Sequence, residues 1–501
     1  MSQIDLARLR TRVAAQGRTY ESHRPEDTAL YRLVQEHATC FFAQAQAASG
    51  AGLPAFVKDE FAAFLDCGIL ARGFLRLRCA DCGHDQLLAF SCKRRGFCPS
   101  CGARRMAQTA AHLVDDVLPP VPVRQWVLSL PIGLRMLLAT QPQWITPVLA
   151  VVQRAISRLL LKATRLKASQ AQGGAITLIQ RFGSAANLNI HLHCLVLDGV
   201  YRIEEDEPIF VPALAPSDDL VQTVLEVIVQ RLLKMLVRRG ALMQDQDQVY
   251  LAEGGKREED AALLPLQQAA CTYRIAWGPR AGQKVLTLQG ANPADEAAAQ
   301  ALCAQHSGFS LHAGVCCAAQ DRRGLERLVR YVTRPALANE RIQIDGAGRV
   351  VLRLKAAWRD GTSHIVMSPL EFMQRLAALV PRPRLHLTRY HGVLAPNARL
   401  RAKVVAAPAA QTEAASEQSQ TCANGHAPQG RRRPSVRIPW AQLLKRVFDI
   451  DMEHCPKCGG VLRAIAAIVQ PCVIERMLTH LGLQARAPPQ APARQPELQL
   501  A

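Results

Sequence analysis

Near the N-terminus, apolar positions recur with the spacing of amphipathic helices. Residues 30–47 and 53–64 place apolar side chains three or four positions apart, and a glycine-rich turn separates the two stretches. A third helical stretch, residues 106–117, ends before Pro119, Pro120 and Pro122. We therefore expect a helical N-terminal domain that ends at about residue 118.

From residue 123 to about 400, strand-like runs alternate with helical ones. Two alternating patterns in one stretch predict an α+β domain, with an antiparallel sheet flanked by helices. The predicted strands are 125–130, 175–182 and 189–197, and the predicted helices are 144–168 and 218–239.

The remaining domain boundaries follow from shifts in composition. Residues 404–434, rich in Ala, Gln, Ser and Pro and ending in a basic run, predict a flexible linker. Residues 435–485 predict a small C-terminal Cys-x-x-Cys module, and the Pro- and Gln-rich residues 486–501 a disordered tail.

The chain carries a large excess of positive charge: 61 Lys and Arg residues against 41 Asp and Glu give a net charge of +20. Such a field attracts polyanions, of which nucleic acid is the commonest large one. A basic protein with no nucleic-acid role is the alternative. We expect a cytoplasmic protein without a membrane partner, because no run reaches the ~18 apolar residues of a membrane span and no signal-peptide core is present.

His191 and His193 stand in the apolar run Ile-His-Leu-His-Cys-Leu-Val-Leu. Side chains alternate faces along a strand, so both imidazoles point the same way from a mostly buried element. A divalent cation would satisfy both rings at once, whereas two separate hydrogen bonds to carbonyl groups are the alternative.

The 16 cysteines include paired knuckles, which in an intracellular protein favour metal ligation over disulfides. Cys79, Cys82, Cys98 and Cys101 form two Cys-x-x-Cys-Gly turns, and we predict that these four thiolates hold one structural Zn²⁺ in a ribbon. His84 or Cys92, which lie between the knuckles, could replace a ligand. Basic residues beside this ribbon suit contact with DNA phosphates, namely Lys93, Arg94 and Arg95.

A further knuckle, Cys455-Pro-Lys-Cys458-Gly, supplies half of a second zinc site. No spacing decides which residues complete it, and a turn without metal is the alternative. The candidate partners are Cys422, His426, His454 and Cys472.

Tyr331 lies on a predicted helix at the edge of an apolar stripe. Its polar neighbours would hold a phosphodiester close to the phenol, which makes Tyr331 a candidate nucleophile, and Pro335 ends the helix. A boundary tyrosine that packs on the core is the alternative. The neighbouring basic residues, which we predict to contact DNA, are Arg323, Arg327, Arg330 and Arg334.

Four sequence blocks together resemble the HUH rolling-circle transposases of bacterial insertion sequences, in particular the single-tyrosine branch found in insertion-sequence common regions. The blocks are the cysteine-rich entry at 79–101, His191-Leu-His193, Arg330-Tyr-Val-Thr-Arg-Pro335, and Arg389-Tyr-His-Gly-Val-Leu-Ala-Pro-Asn-Ala-Arg399. The resemblance implies a central HUH-type sheet and a metal-dependent endonuclease that acts on single-stranded DNA at the element's ends. It implies a Tyr331 linked to the 5′ phosphate, a free 3′ hydroxyl, and a catalytic Mg²⁺ or Mn²⁺ at the histidine pair.

The third ligand of that ion is predicted to be Gln180, which shares a strand face with Ile176 and Leu178 and lies where relatives carry a glutamine. Gln180 as an ordinary strand residue is the alternative. Two-tyrosine relatives place a second tyrosine one helical turn before the first, where this chain has Arg327. Either Tyr331 acts twice, or two subunits of a homodimer contribute one tyrosine each, with Tyr390 as the fallback nucleophile.

Competing functions remain open from the sequence. A zinc-ribbon DNA-binding regulator without catalysis would not need a middle region of ~280 residues. A small-molecule metallohydrolase would need further His or Asp ligands and leaves the net charge of +20 unexplained. A replication initiator or relaxase shares the HUH chemistry, and the predicted partners are single- and double-stranded DNA at element ends and targets.

Overall fold

A central antiparallel sheet organises the chain in the computed structural model, which describes residues 24–204, 207–245, 248–251, 261–290, 301–405, 442, 445–447 and 451–494. The sheet has six strands in this described part, and every neighbouring pair runs antiparallel. Its spatial order is Cys303–His306, Phe309–Cys317, Val123–Ser129, Leu188–Leu197, Gly174–Phe182 and Thr388–Gly392. Together with the helices on both faces, it confirms the α+β class.

The two faces of this sheet bury different sets of helices. Along Leu188–Leu197, named here the histidine strand, Leu192 and Cys194 enter the larger core, whereas Leu195 and Leu197 enter a second core on the opposite face. This alternation is what a strand buried on both faces requires. The larger core is covered by Ile132–Thr140, Ile145–Ala163, Asp218–Arg238, Leu263–Cys271 and Pro369–Leu379.

The second core lies under two helices. The cysteine helix, Pro99–His112, begins at a proline and continues into a π-turn at Leu113–Val117. The tyrosine helix, Arg322–Thr333, buries Leu325, Val329 and Val332 against the sheet. The cysteine helix begins earlier than the predicted residue 106 because Pro99 has no N–H to leave unsatisfied in a first turn.

The stretch Pro142–Ala163 is long and apolar enough to cross a membrane, and half of its most apolar window is buried inside the protein. Val148, Val152 and Ile156 belong to the larger core. Burial on one face is what a core helix of this composition shows.

The C-terminal segment is not a separate module. Its strand Leu462–Ile468 pairs antiparallel with Phe74–Cys79, which also pairs with Asp85–Ala89, so both ends of the chain build one three-stranded sheet. The following helix, Pro471–His480, packs Ile474 and Leu478 against Phe74. The described part of the predicted C-terminal Cys-x-x-Cys module, residues 435–485, thus shares a sheet with the N-terminal domain.

The two predicted N-terminal helices are present as Ala29–Ser49 and Ala55–Asp66. Residues 486–494, predicted to be disordered, lie along the first of them, and the Thr39 hydroxyl donates to the Ala491 carbonyl at 2.6 Å. The predicted linker lies largely outside the described residues. The remaining helix is Arg401–Val404. The remaining strands are Ala171–Gln172, Gly199–Glu204, Glu207–Pro212, Leu242–Asp245, Gln248–Leu251, Leu286–Gln289, Ile342–Ile344, Val350–Arg353 and Thr362–Met367.

A buried ion pair ties three parts of the central sheet together. The Arg124 guanidinium donates to both Asp198 oxygens, with the closest approach at 2.7 Å, and to the Ala313 carbonyl at 3.1 Å. Both charged side chains are nearly inaccessible to water, so each depends on the other for solvation.

Asp198→Ala should therefore lower the free energy of unfolding by about 3–5 kcal/mol, because it leaves the guanidinium buried without its counter-charge. Chemical denaturation measures this change. Glu204→Ala, which removes an exposed partner of Arg202, is the matched control and should have little effect. Equal effects of the two substitutions would contradict the role given to the buried pair.

Candidate active site and cysteine clusters

His191 and His193 lie on the face of the histidine strand that the tyrosine helix covers. His191 pairs with Gln180 on one neighbouring strand and with Ser129 on the other. The two imidazole rings stand edge to face, with centroids 4.8 Å apart.

Hydrogen bonds orient both rings through the same nitrogen. Nδ1 of His191 lies 3.0 Å from the Asn189 carbonyl oxygen, and Nδ1 of His193 lies 2.9 Å from Nε2 of the Gln125 side-chain amide. Among the described residues, Nε2 of His193 is buried without a hydrogen-bond partner. His191 thus has the arrangement of a metal ligand, because its Nδ1–H can donate to the carbonyl and leave Nε2 free to bind. His193 presents Nε2 in the same way when the Gln125 amide turns its oxygen toward Nδ1, and with that orientation the donor set fits a divalent ion.

Burial, opposed by the hydrogen bond to the Asn189 carbonyl and assisted by nearby Arg334, lowers the pKa of His191 to about 4. Burial, with His191 as the next cause, lowers the pKa of His193 to about 3. Both rings are therefore neutral near pH 7, which is the form that binds metal.

Gln180 joins the histidine pair to the tyrosine helix. Its side chain is buried, and Nε2 donates to the Val332 carbonyl at 2.7 Å. This hydrogen bond fixes the amide, so that the side-chain oxygen is left as an acceptor beside His191.

Tyr331, the residue before Val332, is 48% exposed. The Lys355 ammonium lies 3.7 Å from the centroid of its ring, and the Arg334 guanidinium lies 4.5 Å from it. Arg334 also donates to the Tyr331 carbonyl at 2.7 Å. Two cations thus border the phenol, and they are suited to an incoming phosphate.

The other arginines of the tyrosine helix differ in their contacts. Arg323 and Arg327 are exposed, as expected for DNA contacts, whereas Arg330 pairs with Glu326 at 2.5 Å. Arg446, from the C-terminal part of the chain, also pairs with Glu326, at 2.8 Å. Burial alone would raise the pKa of Glu326, but hydrogen bonds from Arg446 and Arg330 hold it below its usual value.

Tyr390 is a half-buried residue of the edge strand and pairs with Ile176. Burial raises the pKa of its phenol, and the Arg401 guanidinium lies 5.9 Å from its ring centroid. Its ring packs against the second core, in agreement with a packing role rather than a nucleophilic one.

The predicted set Cys79, Cys82, Cys98 and Cys101 does not come together in the structure. In the described part of the chain, its members divide between two groups whose sulfur atoms all lie within 4.8 Å of one another. Cluster one is Cys67, Cys92, Cys98 and Cys101, and cluster two is Cys79, Cys82, Cys455 and Cys458. The grouping predicted from sequence is thus corrected, because each knuckle pairs with cysteines outside the predicted ribbon.

Cluster one is assembled around the start of the cysteine helix. The Cys101 sulfur lies 3.3 Å from that of Cys92 and 3.6 Å from that of Cys67. The Lys93 N–H donates to the Cys101 sulfur at 3.2 Å from a left-handed backbone, with φ of 54°. Hydrogen bonds from the other three thiols lower the pKa of Cys101 far below its usual value.

Both clusters fit zinc by their sulfur spacing. Four thiolates about 2.3 Å from one ion sit about 3.8 Å apart at the corners of a tetrahedron. The sulfur–sulfur distances given for the two groups run from 3.3 to 3.7 Å, well beyond a disulfide bond. Such closed sites are structural, because no coordination position is left for substrate.

The basic loop of cluster one has two roles. Lys93 and Arg94 are exposed, whereas Arg95 turns inward and donates to the Leu385 carbonyl at 2.6 Å. Glu60 accepts from the Gly96 N–H at 2.7 Å and so anchors the loop to the helix below it. Arg95, which was predicted to contact DNA, therefore joins the loop of cluster one to the central domain.

Three site residues had no individual signal in the sequence: Gln125, Lys355 and Cys67. Gln125 and Lys355 reach the site from other strands or loops, which a linear pattern does not reveal. Cys67 could have been found by counting, because residues 67–101 contain six cysteines, more than one four-thiolate site uses.

The lowered histidine pKa values predict a pH dependence of stability in the absence of added divalent ion. Between pH 6.5 and about 4 the unfolded chain binds protons that His191 and His193 do not, so the free energy of unfolding falls as pH falls and is level above pH 7. As the pH falls from 7.5 to 5.0, each histidine should lower the free energy of unfolding by about 2 kcal/mol. Urea denaturation of the wild type and of His191→Gln/His193→Gln tests this, and an unchanged pH dependence in the variant would refute it.

Two family models match the chain. The model described as "Transposase zinc-binding domain" matches residues 33–130, and the model described as "Putative transposase" matches residues 174–402. No curated protein and no solved structure matches the chain. The first range contains cluster one, and the second contains Gln180, the histidine pair and Tyr331. Over these two ranges the chain is therefore similar to transposases, including the zinc-binding domain of IS91-type transposases.

Proposed function

We propose that the protein is a transposase that nicks and transfers single-stranded DNA at the ends of its element, with Tyr331 as nucleophile and a divalent ion at His191, His193 and Gln180. The observation that carries the proposal is the pair of oriented, neutral imidazoles beside the end of the tyrosine helix. This is the single-tyrosine HUH reaction that the sequence blocks resemble.

The residues that would hold Mg²⁺ or Mn²⁺ are the two Nε2 atoms and the Gln180 side-chain oxygen. Imidazole favours softer ions than Mg²⁺, so Mn²⁺ should support higher activity. A bound ion would polarise the scissile phosphate and offset the charge that develops on it.

The covalent step uses the Tyr331 hydroxyl. Its oxygen forms a bond to phosphorus as the bond from phosphorus to the 3′ oxygen breaks, while the phenol proton leaves to solvent and the 3′ oxygen takes one up. The resulting phosphotyrosine ester keeps the energy of the broken bond, so the strand can be rejoined to a new 3′ hydroxyl. Arg334 and Lys355 would hold the phosphate beside the phenol.

A second tyrosine is absent from the position one helical turn before Tyr331, which Arg327 occupies. Rejoining therefore uses Tyr331 again or the tyrosine of a second subunit. Tyr390 is half-buried on an edge strand and is not proposed to act.

The cysteine clusters serve structure and DNA recognition in this proposal. Lys93 and Arg94 on cluster one, with Arg323 and Arg327 on the tyrosine helix, offer exposed positive charge to the phosphates of single- and double-stranded DNA. A DNA-binding regulator without catalysis would share these charges, but it would have no use for the histidine pair.

Tyr331→Phe should abolish nicking while leaving DNA binding nearly unchanged, because only the attacking oxygen is lost. Cleavage of a labelled single-stranded oligonucleotide carrying the element's end should fall at least about 10³-fold, and the covalent protein–DNA product should disappear from denaturing gels. Tyr390→Phe is the matched control and should still cleave. Loss of cleavage in the control alone would transfer the nucleophile to Tyr390.

Gln125→Met should raise the Mn²⁺ concentration needed for half-maximal cleavage by about 10–100-fold, because the orienting bond to His193 is lost. Saturating Mn²⁺ should restore most of the rate, which a general loss of structure would not allow. Gln153→Met is the matched control, since Gln153 is an equally buried glutamine that bonds Thr177 on the other face of the sheet. Wild-type cleavage in the presence of chelator would rule out the metal site.

A further inference from the structure

Cluster two joins distant parts of the chain. The sulfur of Cys79 lies 3.4 Å from that of Cys458, 379 residues away, and the sulfur of Cys82 lies 3.6 Å from that of Cys455, 373 residues away. Cys79 and Cys82 fall within the matched range 33–130, whereas Cys455 and Cys458 lie beyond residue 402, where the second match ends. The two matched domains therefore contain only half of this cluster.

We propose that cluster two binds one zinc ion and that this ion holds the C-terminal segment, residues 451–494, against the part of the N-terminal domain that carries Cys79 and Cys82. The inference goes beyond the proposed function and does not depend on it. The ion at cluster two is Zn²⁺, because four thiolates at tetrahedral spacing form a closed structural site for that ion.

The two knuckles have matching turns. The Cys79 N–H donates to the His84 carbonyl at 2.9 Å, and the Cys455 N–H donates to the Gly460 carbonyl at 2.7 Å. Each turn contains a glycine at positive φ, with 69° at Gly83 and 75° at Gly459. Two similar turns that face each other present four sulfurs to one point, which is the geometry of a zinc ribbon.

The knuckles also approach too closely for a side chain between them. A Cβ atom at Gly460 would lie 3.1 Å from the Cys79 sulfur. The Ala80 N–H donates to the Val461 carbonyl at 3.3 Å, so the backbone of one knuckle bonds to that of the other. The cluster is thus built by both segments together.

Apolar packing alone contributes little to holding the C-terminal segment against the rest of the protein. In its strand Leu462–Ile468, residues 463–467 are exposed, and its helix buries only Ile474 and Leu478. The small core beside cluster two consists of Leu77, Met452 and Leu462 with the buried sulfurs. With so small an apolar core, a bound metal ion would add substantially to what holds the segment in place.

Metal analysis of the full-length chain tests the clasp directly. The wild type should contain two zinc ions per chain and Cys455→Ser/Cys458→Ser one, measured by elemental analysis after exhaustive dialysis. Cys472→Ser removes an exposed cysteine of the same segment and should keep both ions. Two zinc ions in the double variant, or iron in place of zinc in the wild type, would overturn the assignment.

Thiol alkylation of the wild type supplies a second test that needs no variant to fold. Cys82, Cys458 and Cys472 are all exposed, so without metal all three should react with N-ethylmaleimide at similar rates. A bound ion should slow Cys82 and Cys458 at least about tenfold relative to Cys472, because the thiolates are held by the metal. Equal rates for the three thiols would contradict the site.

The clasp itself is tested by cutting the chain between its halves. A site-specific protease sequence inserted within residues 406–441 allows cleavage of the otherwise intact protein. The two fragments should co-elute in gel filtration with zinc and separate after chelation, with Cys472→Ser behaving as the wild type. Fragments that remain together after both zinc ions are removed, or that separate with both bound, would show that zinc does not hold the segment.

Discussion

The position of Tyr331 depends on the contact between the cysteine helix and the tyrosine helix. A Cβ atom at Gly102 would lie 2.6 Å from Cβ of Pro335, two residues after the end of the tyrosine helix, so the cysteine helix approaches the end of that helix at a point where only glycine fits. Cluster one fixes the start of the cysteine helix through Cys98 and Cys101. The far side of the tyrosine helix is held by the Gln180 bond to the Val332 carbonyl, so the phenol is placed between a cysteine cluster and the histidine pair.

Charge is divided along the tyrosine helix. Arg330 is neutralised by Glu326, which also receives Arg446 from the C-terminal part of the chain. Arg334 and Lys355 stay beside the Tyr331 ring. The ion pairs of Glu326 therefore hold protein segments together, whereas Arg334 and Lys355 leave their positive charge beside the phenol, where it is suited to a phosphate. A single basic pattern in the sequence thus serves two purposes that only the fold separates.

Local periodicity predicted much of the fold and part of the site. Alternation predicted the histidine strand as residues 189–197, within one residue of Leu188–Leu197, and it put Gln180 on one face of the preceding strand. The structure adds the register, in which Gln180 pairs with His191. Periodicity could not predict how the cysteines divide between the two clusters, because cluster two depends on the pairing of strand Leu462–Ile468 with strand Phe74–Cys79 across nearly 400 residues. Spacing along the chain favoured neighbouring knuckles, whereas the fold joins each knuckle to cysteines outside the predicted ribbon.

The helix contact at Gly102 also changes what the cysteine clusters are expected to do. A closed thiolate site has no position for substrate, so cluster one cannot itself carry the chemistry. In the fold, Cys98 stands directly before the helix whose Gly102 lies against Pro335, so loss of cluster one would displace the end of the tyrosine helix as well as the exposed basic loop. Cluster two has no such contact with the tyrosine helix through its own cysteines. The two clusters should therefore differ. Under the proposed function, cluster one affects cleavage through the placement of Tyr331, and cluster two affects the attachment of the C-terminal segment.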